Sequence, residues 1–401
     1  MSGTASAGRR PRGVLRALAG LVPLLAVGAA LAAPYRPADD QEVLEHVPAR
    51  TALERLAPLR AAVAGQPDAL GPALELARGY IEIGRRESDP RFIAYAEATL
   101  APWLAKPEPP EQALVLQAIA LQYLHKFDAS LVLLERALTD RPADGQAWLT
   151  RAGLLELRGN FAEARRACAR LVRAADEITA LTCLSSVDSR NGRLATGYAA
   201  LRGVPASDPR LAPGIRAWVL SVRADMAERL GDDRAAESDL GAALGVLPDD
   251  PYLKASYADL LLRLNRPREV LALLAGCEPQ DPLLLRLAIA GRRAGAPDAL
   301  RWAQLYAERS RVAAQASDFT HWREEALFRL DVEGDVRGAL RAAANNWAMQ
   351  REPVDVRVYA RTAVGAQSAP DRAALAAWIT ASGYEDSVLG HAGAGSTARG
   401  P

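Results

Sequence analysis

The 401-residue chain has few aromatic residues, few cysteines and almost no net charge. Aromatic side chains make up 5% of the sequence, which argues against a large sugar-stacking cleft or a nucleic-acid stacking platform. With 49 basic and 48 acidic residues, the chain lacks the basic excess of a nucleic-acid binder. Three Cys and four scattered His cannot build the usual structural zinc frameworks. We therefore expect no nucleic-acid partner, no metal and no cofactor.

The sequence also lacks the short motifs of common enzyme classes. It has no Walker loop, nucleophile elbow, zinc-protease helix or dinucleotide glycine fingerprint. His321 and Glu325 share one helix face, but no second His-Glu element accompanies them, so a surface pair is the expected arrangement. We predict no catalytic residues. Two alternatives stay open, an exported all-helical (α/α) carbohydrate-active enzyme and a structural assembly subunit.

One long uncharged run stands near the N terminus, from Ala17 to Ala33. Four arginines precede it, and Ala30-Leu31-Ala32 provides the small residues that a signal peptidase requires. We predict that residues 1–33 are a cleaved signal peptide and that the mature protein is periplasmic or secreted. The alternative is an uncleaved anchor that leaves the protein facing the periplasm, and only then is membrane contact expected.

The remainder of the sequence has the pattern of short helices. From Thr51 to Leu389, apolar residues recur at three- and four-residue spacing, and Gly and Pro separate the helical stretches. Residues 111–144 and 145–178 align with an offset of 34 residues, and residues 217–250 follow the same scheme. In the second copy, a large residue at position 4, small residues at 8 and 20 and a glycine at 15 are Trp148, Ala152, Ala164 and Gly159.

This pattern resembles the tetratricopeptide repeat family. The small residues let the two helices of a repeat approach closely, the glycine permits the turn between them, and each pair covers the apolar face of the next. The resemblance implies an all-α, right-handed solenoid of about seven antiparallel helix pairs. We place an N-terminal linker and capping helix at 34–69, the repeat array at 70–353, C-terminal capping helices at 354–389 and a disordered tail at 390–401.

In members of this family, the first helix of each repeat lines a concave groove that binds a protein or peptide segment. Carried over to this sequence, that role predicts a non-catalytic exported scaffold. Trp218 is an aromatic at a position not required for packing, and it would either anchor a partner or pack against the preceding repeat. Arginines of the groove would clamp a carboxylate or remain solvated. The predicted partner-binding residues are Gln112, Tyr123, Trp218, Arg229, Tyr252, Arg263, Arg292, Arg293 and His321.

Cys168 and Cys183 lie on consecutive helices, equally far from the turn predicted near residues 174–177. Residues equidistant from the turn of an antiparallel pair lie at the same height. Adjacent helix axes are about 8–10 Å apart, which allows inward-facing cysteines to bond. In an oxidising compartment we therefore predict a Cys168–Cys183 disulfide, with Cys277 left free.

Overall fold

The computed structural model describes residues 51–205, 208–316 and 321–394. Within these segments the regular structure is helical and contains no strand, as the sequence predicts. None of the helices in these segments combines the length and apolar character needed to cross a membrane. The predicted signal peptide, the start of the predicted linker and residues 395–401 of the predicted tail lie outside the described residues.

The helices form nine antiparallel pairs in the described part of the chain, followed by α21 (Ser387–Ala394). The first helices of the pairs are α3 (Leu70–Glu87), α5 (Glu111–Tyr123), α7 (Gly145–Leu157), α9 (Glu177–Ser189), α11 (Pro213–Arg229), α13 (Pro251–Arg263), α15 (Asp281–Ala294), α17 (Trp322–Phe328) and α19 (Pro353–Gly365). The second helices are α4 (Pro90–Leu104), α6 (Phe127–Asp140), α8 (Phe161–Ala174), α10 (Leu194–Arg202), α12 (Asp233–Val246), α14 (Pro267–Leu273), α16 (Ala299–Ala316), α18 (Val336–Met349) and α20 (Ala369–Ser382).

Most first helices contact the first helix of the next pair, so they line the inner, concave side of the stack. Close packing inside a pair depends on small side chains. Ala152 of α7 and Ala164 of α8 are completely buried against each other's helix, and Gly159 takes a left-handed conformation (φ +76°) in the turn between them. The repeat pattern of the sequence therefore corresponds to helix pairs in the structure.

Aspartates at the start of several inner helices set where those helices begin. The carboxylates of Asp144, Asp176 and Asp250 accept hydrogen bonds from backbone amides three residues later, at 2.6, 2.9 and 3.0 Å. An aspartate in this position satisfies an amide that has no partner within the helix.

The single N-terminal capping helix predicted within residues 34–69 is two helices in the described region, α1 (Thr51–Arg55) and α2 (Ala57–Gly65). Pro58 lies in the first turn of α2, where its missing amide and fixed φ favour the start of a new helix. Between them, Leu56 is buried and its side chain lies against Gly79 of α3. This residue covers part of the first pair.

The C-terminal region follows its prediction in part. The predicted capping pair corresponds to α19, which packs on α18, and α20, which packs on α19. The predicted disordered tail begins too early, because residues 390–394 belong to α21. Gly383, with φ +68°, ends α20 and turns the chain toward that last helix.

The stack curves so tightly that the chain meets itself again after nearly six pairs. Gln280, just before α15, donates from its side-chain amide to the carbonyl of Arg86 at 2.7 Å, across 194 residues. The Arg351 guanidinium donates to the carbonyl of Arg158 at 2.6 Å, across 193 residues. We call α3–α14 the first turn of the superhelix and α15–α21 the second turn.

The second turn lies on the short turns that join the paired helices of the first. The backbone amide of Leu194 donates to Glu385 at 3.2 Å, across 191 residues. The rings of Phe161 and Trp378 have centroids 6.2 Å apart, so Trp378 of α20 packs against α8 of the first turn. In three hydrogen bonds between the turns, the bonded residues are 191 to 194 positions apart in the sequence, so the two turns run in register.

Cys168 of α8 and Cys183 of α9 form a disulfide in the structure, with Cα atoms 5.5 Å apart. Both residues belong to a buried cluster that also includes Phe161 and Leu171. Cys277 is buried and unbonded.

Candidate functional site

The face lined by the inner helices, which we call the inner surface, carries most of the predicted binding residues. The structure connects many of its charges to each other. Glu156 of α7 accepts from Ser186 at 2.6 Å and lies 3.1 Å from the Arg190 guanidinium. Asp259 of α13 receives two hydrogen bonds from Arg286 of α15, at 2.9 and 2.7 Å. Ion pairs between neighbouring repeats therefore line the inner surface.

Arg229 is buried, with 1% of its surface exposed. Its guanidinium donates to Asp225 at 3.0 Å, to the carbonyl and hydroxyl of Ser189 at 2.9 and 2.6 Å, and to the carbonyl of Glu385 at 3.5 Å. The guanidinium also lies 5.4 Å from the ring centroid of Tyr384. Arg229 therefore joins the two turns and is not accessible to a partner, which corrects its predicted binding role.

Two further predicted arginines are paired within the chain. Arg263 donates to Glu228 at 2.6 Å and also pairs with Asp233. Arg293 donates to the carbonyl of Leu262 and to Asp331, both at 2.9 Å. A carboxylate on a partner would have to displace these internal acceptors. Arg292, by contrast, is exposed.

The other residues predicted near the groove are partly buried. Gln112 is half-buried at the start of α5. The Tyr123 hydroxyl donates to the carbonyl of Gly84 at 3.2 Å, and desolvation raises the pKa of Tyr123 to about 12. Trp218 is half-buried and packs against the cluster that contains the disulfide, which is the alternative to an anchoring role. These side chains hold the repeats together as well as facing the inner surface.

Tyr252 has different surroundings. It is 59% exposed, the highest value for an aromatic residue in the described structure. Desolvation nevertheless raises its pKa, and the carboxylates of Glu352 and Asp225 raise it further, while Arg190 and Arg323 lower it. Water therefore reaches the ring, and charged groups of the inner surface act on its hydroxyl. We call Tyr252 with these four groups, Arg190, Asp225, Arg323 and Glu352, the chamber.

Charged groups of this chamber come from both turns of the superhelix. Arg190 and Asp225 belong to the first turn, and Arg323 and Glu352 to the second. Arg323 donates to Glu352 and, at 2.6 Å, to Asp355. Desolvation lowers the pKa of Arg190, but Glu156, Asp225 and Glu352 outweigh that effect and raise the pKa above its ordinary value. Both arginines near Tyr252 therefore already have acidic partners within the chain.

Two histidines meet at the boundary between the turns. The rings of His125 and His321 are edge to face, with centroids 5.8 Å apart. Desolvation lowers the pKa of His125 to about 4, and the nearby His321 and Arg323 add to this effect. Glu325, the residue paired with His321 in the sequence, instead accepts from Arg329 at 2.6 Å.

The acidic residue Glu111 lies at the edge of the inner surface opposite to these histidines, near the loops that join one helix pair to the next. Glu111 of α5 has 8% of its side chain exposed. One of its carboxylate oxygens lies 3.2 Å from Arg141, and the other, Oε1, is buried without a hydrogen-bond partner. Desolvation raises the pKa of Glu111 to about 7, and the adjacent Asp144 adds to the rise.

Arg141 and Asp144 also line a shallow cavity of about 430 Å³. Its walls come from the ends of α6 and α8 and the starts of α7, α9 and α11. The lining residues are Arg141, Ala143, Asp144, Gly145, Gln146, Leu149, Ala174, Ala175, Thr179 and Ile215.

Three features identify the fold. The helix pairs span about 34 residues, small buried residues lie at the interface within a pair, and the first helices line a concave surface. The chain has a tetratricopeptide-like repeat fold. Neither a family model nor a curated protein matches it.

Solved structures similar to this tetratricopeptide-like array include two tetratricopeptide repeat proteins. A thermophilic TPR protein of Thermus thermophilus is 25% identical, over 50% of this chain and 98% of that one, with a TM-score of 0.36. A tetratricopeptide repeat protein of Parabacteroides merdae is 13% identical over 65% and 97% of the chains, with a TM-score of 0.40. Yeast Tom70 is 12% identical over 83% and 81%, with a TM-score of 0.39.

The sequence of the tetratricopeptide-like array contains no indication of the chamber. Arg323 and Glu352 were not predicted as site residues, because only contact between the two turns brings them to Tyr252. Arg190 lies in the same turn as Tyr252 and was also not predicted. The proximity of Glu111 to Asp144, by contrast, could have been predicted from the sequence. It opens a repeat that ends with Asp144, so both acids lie at the same edge of adjacent inner helices.

Proposed function

We propose that the protein is a non-catalytic scaffold that binds a protein or peptide segment on its inner surface. The observation that carries this proposal is Tyr252, an accessible aromatic ring among charged groups whose arginines already have acidic partners in the chain. Aromatic side chains that a partner covers on binding are typical anchors of interfaces. Arg229 has no part in the site, since it is buried between the turns.

Internal ion pairs favour a partner that adds apolar or aromatic contact over one that supplies a carboxylate. Arg263 and Arg293 already donate to groups of the chain, and their displacement would cost the energy of these hydrogen bonds. A segment that places an aromatic or aliphatic side chain against Tyr252 gains contact area without breaking them. The exposed side chains of Arg292 and His321 can add polar contacts with the partner.

Replacing Tyr252 with Ala is expected to weaken partner binding by about tenfold or more, the effect of losing a modest interface anchor. The melting temperature should change little, because the ring is largely exposed. Affinity capture of the mature protein identifies the partner, and calorimetry with that partner measures the loss. Tyr95→Ala is the matched control, since Tyr95 is 50% exposed but lies on the outer helix α4.

Equal binding by the Tyr252 and Tyr95 variants would contradict the proposed site. Trp218→Ala separates anchoring from packing in the same assay. Because Trp218 packs against the disulfide-containing cluster, its removal should lower the melting temperature along with any loss of binding.

We also propose that the scaffold works outside the cytoplasm after removal of residues 1–33. The support is the sequence pattern of four arginines, an uncharged run and Ala30-Leu31-Ala32. N-terminal sequencing of protein recovered from the exported fraction tests this location. A start near residue 34 is expected, whereas an intact N terminus in the membrane fraction would indicate the anchored alternative.

The alternatives have weaker support in the described residues. An acid–base enzyme needs two acidic groups free to act, and Glu111 with Asp144 comes nearest to this arrangement. Asp144, however, already accepts from the Ala147 amide as a helix cap. An assembly subunit would present an apolar outer patch. The large exposed apolar residues of the outer face are distributed, one or two to a helix, over α4, α6, α8 and α16.

A further inference from the structure

An arginine without an acidic partner lies where the second turn contacts the first. Arg351, in the loop between α18 and α19, donates through Nη1 to the carbonyl of Arg158 at 2.6 Å. Its Nε is buried without an acceptor, and its Nη2 has no acceptor in the described part of the chain and is not buried. The Trp347 ring centroid lies 5.1 Å from the guanidinium, so the ring covers one side of this cation.

The charges at this point do not cancel. Desolvation lowers the pKa of Arg351, and the positive charge of Arg158 lowers it further. Arg158 pairs with Asp128, a carboxylate that is 84% exposed. Arg229 and Arg357, which also join the turns, each pair with an acid instead. Two guanidinium groups therefore share one solvated carboxylate here, and the three charges sum to one positive charge.

A small hollow beside Gly159 brings donors of both turns together. Gly159 has a left-handed backbone, and a β-carbon on it would stand 3.2 Å from Arg351 Nη1 and 3.6 Å from the indole Nε1 of Trp378. That indole nitrogen has no acceptor among the described residues and is not buried. Trp378 contacts Trp347 edge to face, with ring centroids 4.9 Å apart, so the indole is held in place.

We propose that this hollow binds a phosphate-type oxyanion, and we call Arg158, Gly159, Arg351 and Trp378 the seam site. An oxyanion supplies the acceptor that Arg351 and the indole lack and neutralises the excess positive charge. The proposal goes beyond the scaffold function and does not depend on it.

Donor geometry favours a tetrahedral anion over a carboxylate. A planar carboxylate pairs best with two parallel N–H groups of one guanidinium. In Arg351, Nη1 is already bonded to the Arg158 carbonyl and Nε is covered by protein, so this paired contact is not available. What remains are single donors on three side chains, those of Arg158, Arg351 and Trp378. Separate donors from several directions suit the oxygens of a phosphate group.

A bound phosphate should hold the two turns together, because Arg158 belongs to the first turn and Arg351 and Trp378 belong to the second. It also screens the repulsion between the two arginines. The melting temperature should therefore rise by about 2 °C in phosphate at about ten times its dissociation constant, compared with chloride at equal ionic strength.

Calorimetric titration of the mature protein with inorganic phosphate, at constant ionic strength in chloride, tests the site. Arg351→Met keeps a stem that packs on Trp347 but removes the charge, and it should weaken phosphate binding about tenfold or more. Trp378→Phe keeps a ring but removes the N–H, and a loss of about fivefold is expected. Arg341→Met, at an exposed arginine of α18, is the matched control and should bind like the unmodified protein.

Glycerol 3-phosphate and acetate complete the titrations. Binding of glycerol 3-phosphate as well as phosphate supports a site for phosphate monoesters, and binding of inorganic phosphate alone supports a site for the free ion. The proposal is overturned if acetate binds as tightly as phosphate, if Arg351→Met keeps full affinity, or if nothing binds at about 10 mM phosphate. If Arg351→Met does not fold, full affinity in Trp378→Phe overturns it equally. None of these results changes the scaffold proposal.

Discussion

Replacing Arg229 with Ala is expected to destabilise the protein by about 3 kcal/mol or more, the range found when one partner of a buried ion pair is removed. The change leaves Asp225, Ser189 and the Glu385 carbonyl without their shared donor. It also removes the contact with Tyr384. Since these groups belong to both turns, the second turn should loosen from the first before the repeats themselves unfold.

Thermal and urea unfolding, combined with limited proteolysis near the C terminus, measure this effect. Arg292→Ala is the control, because Arg292 was predicted for the same groove but is exposed, and a change within about 0.5 kcal/mol is expected. Similar stability of both variants, with unchanged proteolysis around residues 384–394, would show that Arg229 does not join the turns.

Loss of the Cys168–Cys183 disulfide should have the next largest effect. The bridge closes a loop across 15 residues, for which the chain-entropy model gives about 3 kcal/mol. A Cys168→Ala, Cys183→Ala variant should therefore melt at a lower temperature, and reductant should lower the melting temperature of the unmodified protein but not of the variant.

Peptide mapping without reductant tests the bond itself. Trypsin cuts after Arg170 and Arg173, between the two cysteines, so the disulfide joins two otherwise separate peptides. Cys277 should react with an alkylating agent only after denaturation, since it is buried. Full alkylation of Cys168 and Cys183 in freshly exported, non-reduced protein would contradict the pairing.

The sequence predicted the local features of this fold well. Helix pairing follows from Ala152, Gly159 and Ala164, which act within one repeat. The Cys168–Cys183 geometry depends only on the turn between two consecutive helices. Such features involve neighbouring residues in a quasi-one-dimensional array, where each repeat contacts mainly the next.

Contacts between the two turns could not be predicted in the same way. The position of the second turn depends on a small rotation at each of nearly six pairs, and these rotations accumulate. Arg229 was therefore assigned to an open groove, although Glu385 and Tyr384 cover it. For the same reason the chamber around Tyr252 was predicted only through Tyr252 itself.

The central claim is that the second turn lies directly on the first. Electron–electron distance measurement between spin labels at Asn160 and Ala377 tests it, because both residues are exposed and flank the contact of Phe161 with Trp378. Cys277→Ala removes the one unbonded cysteine. We predict a single narrow distance of no more than about two helix diameters, or ~20–24 Å. A broad distribution, or a distance of about four helix diameters or more, would mean an open superhelix and contradict the account.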